Sequence, residues 1–327
     1  MTGGASGDIL DVLAIEHAIV QAPVGACATP QLVAAVGEAG GLGTLACTWT
    51  PPVDLAPLID RVRALTRRPF AANLVLWFDV DAQLDALLAL RVPVVTFSWG
   101  QPGRERIVRC RAAGTRVAVQ VGSADGARQA RADGADVLIA QGVEAGGHVQ
   151  STTPLRELLP AVLGAAGSVP VVAAGGLASA PDVARVRRAG AGGAMLGTRF
   201  LATAESGAHD AYKRALLAAG TGDTALTVCF DGDWPQAAHR VLRNATLERW
   251  ERAGCPGPGR RPDESDALAM RGGRPIARYS DSPPLAGDEG TIGEMCLYAG
   301  EGCAAIDDLP AVAELLDRLS GRGSGSG

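Results

Sequence analysis

Residues 169–200 read VPVVAAGGLASAPDVARVRRAGAGGAMLGTRF. The stretch opens on a short, nearly continuous apolar run, Val169 to Ala174. It is too brief for a helix and has the character of a parallel strand buried on both faces. Gly175-Gly176 ends it, Val183 and Val186 then share one helical face among arginines, and a second apolar run begins at Gly193 (GAMLGTRF). Strand, helix and strand within about thirty residues make a βαβ unit.

Outward from this unit the same rhythm recurs. Earlier apolar runs begin near Ala18 (AIVQAP), Leu42 (LGTLA), Phe70 (FAANLVL), Val92 (VPVVTFSW), Val117 (VAVQVG) and Asp136 (DVLIAQG). Between them lie stretches of helical period. Thr29 is placed to cap a helix with Pro30 at its first position, Leu32, Val33 and Val36 share a face, and Gly40-Gly41 stop it. Leu84, Leu87 and Leu88 repeat the pattern, and Thr153-Pro154 opens a further helix that Pro160 should shorten or kink. Eight strand–helix units predict an α/β fold, a (β/α)8 TIM barrel. An open doubly wound sheet also fits the alternation, but the count of eight and the lack of an early G-x-G-x-x-G favour the barrel.

Beyond Gly220 the rhythm ends. Trp234 to Arg252 reads as a helix, Gly254 to Pro262 and Pro283 to Gly290 as irregular chain, and Leu309 to Leu319 as a closing helix. The expected division is a barrel over residues 1–220, a smaller helical appendage or substrate domain over 221–320 beside the barrel mouth, and a flexible tail (GRGSGSG) over 321–327.

Composition narrows the function. Of 327 residues 47% are apolar and only 4% aromatic, and 43 are glycine without a collagen-like repeat, so the chain is expected to bury a large core. A net charge of −5 argues against nucleic acid as a partner. Lys213 is the sole lysine among 30 basic residues, a sign of GC-rich coding rather than of phosphate chemistry. The seven cysteines form no C-x-x-C and no zinc-like cluster, so reduced thiols, no metal and a cytoplasmic location are expected. Met1 to Ile9 lacks a signal-peptide core, and no run approaches the ~20 apolar residues of a membrane span. An oligomer is compatible with the sequence, which carries no signature of one.

In such a barrel reacting groups lie at the carboxyl ends of the strands, and phosphates after strands seven and eight. That rule selects Gly176 and the turn Met195-Leu196-Gly197-Thr198, where glycines let backbone N–H groups approach an anion. Strand six runs out into Gln141-Gly142-Val143-Glu144-Ala145-Gly146-Gly147-His148. His148 is the histidine at a strand's carboxyl end, suited to proton transfer or to holding an anion. His17, before the first strand, and His209 and His239, on expected helices, read as structural. Asn73 and Gln120 are polar residues in apolar strands; each needs partners, either a structural hydrogen bond or the polar edge of a flavin.

Several of these stretches together resemble the nitronate monooxygenases, formerly called 2-nitropropane dioxygenases. The resemblance is carried by Gln21-Ala22-Pro23-Val24, Thr29-Pro30, Glu38-Ala39-Gly40-Gly41-Leu42-Gly43, Phe70-Ala71-Ala72-Asn73-Leu74, Glu144 to His148, Ala173 to Gly176, Gly197 to Leu201 and Tyr298-Ala299-Gly300-Glu301-Gly302. It spans residues 15–318. It implies an FMN-dependent oxidoreductase that converts alkyl nitronates, and in some cases nitroalkanes, with dioxygen to a carbonyl compound and nitrite. Asn73, Gln141, Gly146, Gly176 and Met195 to Thr198 would bind FMN, Ala22 to Val24 would lie by the reactive edge of the ring, and His148 would be catalytic. The chain departs from the family at Val149-Gln150, at Ala28 and at Ser179-Ala180, positions nearer the substrate walls than the phosphate. The resemblance extends to NAD(P)H-dependent FMN reductases acting on enoyl thioesters or quinones; a barrel that binds FMN without turnover is the non-enzymatic reading. IMP dehydrogenase-like chemistry needs a loop cysteine, and Gln141 to Thr153 has none.

Overall fold

The computed structural model describes residues 8–232 and 234–321. Eight parallel strands form one sheet: β1 (Ile19–Gln21), β2 (Gly43–Ala46), β3 (Phe70–Val75), β4 (Val94–Ser98), β5 (Arg116–Val121), β6 (Val137–Gln141), β7 (Val171–Ala174) and β8 (Gly193–Leu196). Each of β2 to β8 ladders onto its sequence neighbour, and β1 pairs with β8, Ile19 opposite Ala194. The last seam, β1 to β2, is a single bridge at Val20 and Leu42. There the side chain of Gln21, itself fully buried, completes the closure: its Oε1 accepts from Thr44 N–H (2.9 Å) and its Nε2 donates to Thr44 O (3.2 Å). The fold is the expected TIM barrel.

The near-continuous apolar character of the strands has its reason in two cores. Alternate residues point inward, where Val20, Leu42, Val94, Val137, Ile139 and Val172 fill the interior. Their neighbours point outward against the helices, as Leu45, Leu74, Phe97, Val119, Leu138 and Leu196 do. A short helix, Ile9–Leu13, plugs the amino-terminal end of the barrel with Ile9, Leu13 and Ile15. The interior is thereby closed below, and space remains at the carboxyl end.

Caps set the helices as their sequences suggest. Thr29 Oγ1 accepts from Leu32 N–H (3.0 Å) at the start of Pro30–Glu38. Ser179, one of the departures from the family pattern, forms a capping box with Asp182 at the start of Ala180–Arg188. Pro160 does not shorten its helix, which runs from Leu155 to Ala166. The proline faces solvent, where water can take the carbonyl it leaves without a donor.

The largest correction concerns residues 221–320. Trp234 to Arg252 is not one helix: only Ala245–Arg252 is helical, capped by Asn244, while His239–Leu242 is a strand. That strand pairs antiparallel with Thr224–Thr227 on one side and with Gly147–His148 on the other. A second antiparallel sheet joins Ala267–Arg271, Arg274–Ala277 and Glu289–Gly290. All four residues His239 to Leu242 are buried, so the alternation that marks a half-exposed strand is absent. His239 accordingly lies on a strand, and His209 caps the helix Asp210–Ala218 instead of lying within it. The closing helix, Val312–Ser320, packs Val312, Leu315, Leu316 and Leu319 into the outer core of the barrel. Six of the tail residues, 322–327, lie outside the described residues, as do residues 1–7. Among the described residues no helix is long and apolar enough to cross a membrane.

Candidate active site

The carboxyl ends of the strands surround a cavity of ≈ 480 Å³. Ala22, Pro23 and Val24 enter it after β1, Asn73 from β3, Gln120 from β5, Gln141 from β6, and Gly146 and His148 from the segment after β6. Gly176 follows β7; Met195, Gly197 and Thr198 complete the ring. Leu196 is the one expected site residue whose side chain points away, into the outer core. The in–out alternation of β8 requires this, since Met195 faces inward.

One end of the cavity is made of backbone. Gly175 and Gly176 adopt φ of +112° and +66°, a conformation that favours glycine. Their amide N–H groups find no acceptor among the described residues. The closing segment Ala299 to Gly302 packs directly on this end: Gly300 N–H donates to Thr198 Oγ1 (2.9 Å), and Glu301 N–H to Glu144 O (3.0 Å). A Cβ on Gly146 would sit 2.4 Å from Gly300 N, and one on Gly302 would sit 2.6 Å from Gly176 O. Glu144 faces elsewhere, its carboxylate capping the helix at Leu155 N–H.

The middle of the cavity carries amides. Asn73 donates from Nδ2 toward Thr96 Oγ1 (2.9 Å), Thr96 O (3.2 Å) and Ser98 Oγ (3.3 Å), so β4 holds its NH₂ group and leaves the carbonyl oxygen free to face a ligand. Gln120 donates to Gln141 Oε1 (3.0 Å), which also accepts from Gln150 N–H (3.2 Å), and Gln141 Nε2 donates to His148 O (3.4 Å). Gln120 therefore has a structural partner and also lines the cavity.

The other end is aromatic. His148 stacks on Trp234 with ring centroids 4.3 Å apart and planes at 23°, and meets the edge of Trp99 at 6.2 Å and Tyr298 at 5.6 Å. Its Nε2 is buried and has no hydrogen-bond partner. Burial, with a smaller contribution from His239, lowers its pKa to about 3, so the imidazole is neutral at working pH. His239, opposite His148 in register, is locked neutral as well: its Nε2 accepts from Phe230 N–H (3.2 Å), which leaves Nδ1–H to donate to Ala237 O (2.8 Å).

Lys213 lies apart, its Nζ donating to Thr203 O (2.8 Å) in the core. Cys27 lines the cavity but is buried, and burial pushes its thiol up to about 12. Sequence reasoning missed Trp99, Trp234, Tyr298, His239 and Gln150. Trp99 could have been found by the strand-end rule that finds His148, since it directly follows β4; Tyr298 opens a quoted motif that gives its ring no role, Trp234 and His239 fall in the stretch that reads as one helix, and Gln150 stands only as a departure from the family pattern.

Comparison with known proteins places the chain in a family. The family profile described as nitronate monooxygenase matches residues 7–83 and 78–321. A Pseudomonas aeruginosa nitronate monooxygenase is 32% identical, the alignment covering 94% of this chain and 96% of that protein. A Mycobacterium tuberculosis protein, (3aS,4S,5R,7aS)-5-hydroxy-7a-methyl-1-oxo-octahydro-1H-indene-4-carboxyl-CoA dehydrogenase, is 34% identical over 95% of this chain and 94% of its own. Among solved structures, a nitroalkane oxidase from Streptomyces ansochromogenes superposes with a TM-score of 0.79 at 33% identity, covering 96% of this chain and 97% of that one. A backbone cradle after β7, a histidine after β6 and a family match along nearly the whole chain lead to one conclusion: this protein is an oxidoreductase that belongs to the flavin-dependent nitronate monooxygenase family.

Proposed function

We propose that the protein binds FMN in this cavity and oxidises nitronates with dioxygen to a carbonyl compound and nitrite. The observation that carries the reading is His148 Nε2, a buried and unpartnered nitrogen at the aromatic end of the cavity. The residues present suit a flavin. The amides of Gly175 and Gly176 offer donors for a phosphate, and the Asn73 carbonyl, with Gln141 and Gln120, offers polar partners for a ring edge. FMN fits better than FAD, because the described residues hold no Rossmann unit for an adenosine. Gly146, Gly176, Met195, Gly197, Thr198 and the backbone of Leu196 would hold it, with Ala22, Pro23 and Val24 beside the ring. Bound FMN supplies the electron acceptor that the side chains themselves lack.

The rest of the work falls to the chain. A nitronate is already an anion and needs no base; it needs a donor on its oxygens, and neutral His148 in its Nε2–H tautomer is one. A neutral nitroalkane needs a base, and a histidine whose pKa is held to about 3 is a weak one at neutral pH. The site therefore favours the preformed nitronate. Trp234 and Tyr298, both from beyond residue 220, cover His148, which supports a share of the substrate wall for residues 221–320, while the barrel (residues 1–220) would supply most of the flavin's partners.

An aerobic nitrite assay on FMN-loaded protein with several preformed nitronates tests this; flavin-replete protein that releases no nitrite from any of them sinks it. A second reading, thioester or nicotinamide redox chemistry, is favoured by the similarity to the Mycobacterium tuberculosis CoA-thioester dehydrogenase. Anaerobic mixing with NADPH separates the two: rapid bleaching of the flavin favours the second reading, and inertness the first.

A further inference from the structure

The chain has five tryptophans, and four of them, Trp49, Trp77, Trp99 and Trp234, gather at the aromatic end of the cavity. Phe78 bridges them, 5.6 Å from Trp49 and 5.3 Å from Trp234. In a protein only 4% aromatic this is a concentration of large, rigid apolar surface at one place. Trp49 and Trp77 remain more than half exposed there, so the wall continues outward to the mouth.

Trp99 is unusual within this group. Its φ is +56°, a conformation that bulky residues rarely adopt and that marks a place where surrounding structure imposes the backbone. Gln150, at one of the positions where the chain departs from its family, holds it: Trp99 N–H donates to Gln150 Oε1 (3.2 Å). Through Gln150 N–H and Gln141 the same network reaches the carbonyl of His148. Trp99 Nε1–H is buried without an acceptor, as is Nε2 of His148. Trp250, away from the cavity, shows the ordinary case, its Nε1–H donating to Pro256 O (2.9 Å). Buried polar groups are paired in the great majority of cases, so two orphan nitrogens on adjacent rings of one cavity call for a shared partner.

We propose that Trp99 is a substrate-binding and specificity residue: its indole N–H and His148 together hold the two oxygens of a planar anion, and the tryptophan wall selects anions carrying an aromatic or alicyclic ring over short alkyl ones. This rests on the nitronate reading for the identity of the anion, a cyclic or aryl nitronate, but the anion subsite itself does not. Gln150, bonded to the main-chain N–H of Trp99, is the positioning residue that fixes the backbone from which the indole projects.

The test uses FMN-loaded protein and two redox-inert carboxylates, phenylacetate and propionate, which share a charge and a planar pair of oxygens with a nitronate. Affinities are read from the perturbation of the flavin's visible spectrum. Wild type should bind phenylacetate at least about tenfold more tightly than propionate, a modest share of the gain from burying a ring. Trp99→Phe, which keeps a ring and removes the N–H, should weaken both by about tenfold or more, as loss of a hydrogen bond to a charged group does. Trp49→Leu should weaken phenylacetate alone. Equal affinities for the two acids in wild type, or a Trp99→Phe protein with wild-type affinities, overturn the proposal. Should Trp99→Phe lose its flavin, the wild type still decides: with indole ¹⁵N labelling, one of the five N–H signals must move downfield on adding propionate, and five unmoved signals count against the proposal. If the carboxylates behave as expected while no nitronate yields nitrite, the anion subsite stands and the nitronate reading falls. If nitrite forms and Trp99→Phe changes nothing, only this inference falls.

Discussion

The two ends of the cavity are built from different materials. At one end Gly146, Gly175, Gly176, Gly300 and Gly302 bring main chain against main chain, with no room for a Cβ at Gly146 or Gly302. At the other, rings from four separate stretches, Trp99, His148, Trp234 and Tyr298, meet edge to face, stacked or tilted. A backbone-built end accepts glycine and little else, so it leaves a fixed imprint on the sequence. A side-chain-built end can be lined by many residue types, and its selectivity depends on which. The first suits a cofactor common to a family, the second a substrate that differs among its members.

The comparison breaks most directly at His148, on the aromatic end. His148→Ala should retain FMN, because the glycine cradle does not involve its side chain. On neutral nitroalkanes it should lose whatever the imidazole contributes as a base, about 10²–10⁴-fold for a well-placed one. With the pKa held near 3 the lower part of that range is expected. On preformed nitronates the loss should be that of one hydrogen bond to a charged group, roughly 1.5–3 kcal/mol. Steady-state kinetics on both substrate forms, with flavin content measured alongside, decides. Equal and negligible losses would remove His148 from the reaction.

Gly146→Ala probes the other end. The added methyl meets Gly300 N at 2.4 Å and Ala299 C at 2.6 Å, backbone atoms that cannot swing aside. Pushing the closing segment away should destabilise the protein by roughly 1–3 kcal/mol, the usual cost of overpacking, and lower FMN occupancy. Thermal unfolding and the flavin-to-protein absorbance ratio measure the two effects. Unchanged FMN binding would mean that the glycines serve only to turn the chain.

These contrasts explain what the sequence disclosed. The barrel was legible because eight short apolar runs alternate regularly with stretches of helical period, and the glycine end because Gly175-Gly176 and Gly146 follow strand ends. The His239–Leu242 strand was not, since its four residues are all buried and short, and a run through Trp234 to Arg252 has enough spaced apolar residues to imitate a helix. Trp234 and Tyr298 reach His148 only through long-range packing that no local pattern encodes. Gln150 looked like a mere departure from the family until its carbonyl was found on Trp99 N–H.

pH dependence sharpens the aromatic end. Burial between Trp234 and His239 disfavours the charged imidazole, so His148 gains a proton only as pH falls toward about 3. With preformed nitronate, kcat/KM should show no histidine inflection between about pH 5 and 8, the range where an ordinary histidine titrates. Stability should behave oppositely. The unfolded chain binds that proton at ordinary histidine pKa, so below about 6.5 the folded state is progressively disfavoured, down toward pH 3. His148→Phe should flatten that acid limb. An inflection in kcat/KM near 6.5 that disappears in the variant would show that the imidazole ionises freely and that the wall does not desolvate it.

The smallest effect is expected at Cys27, which sits between the two ends and touches the cavity from the first turn after β1. A thiol in that position invites a nucleophilic role, and Arg271 and Lys213 pull its pKa down, but burial outweighs them. Cys27 is fully buried, its Sγ lies 4.0 Å from Pro284 O, and burial holds its pKa near 12. Thiolate is the reactive form, and at neutral pH almost none is present. Cys27→Ala removes one buried sulfur from a cluster that includes Tyr212, Leu216 and Leu297, so a loss of about 1 kcal/mol in stability is expected from the space it leaves. Activity on nitronates should stay within about twofold, and iodoacetamide should label wild-type Cys27 far more slowly than the exposed Cys255. If Cys27→Ala keeps its flavin and its fold but loses turnover, the chemistry is not confined to the aromatic end, and the division of the cavity into a cofactor half and a substrate half is wrong.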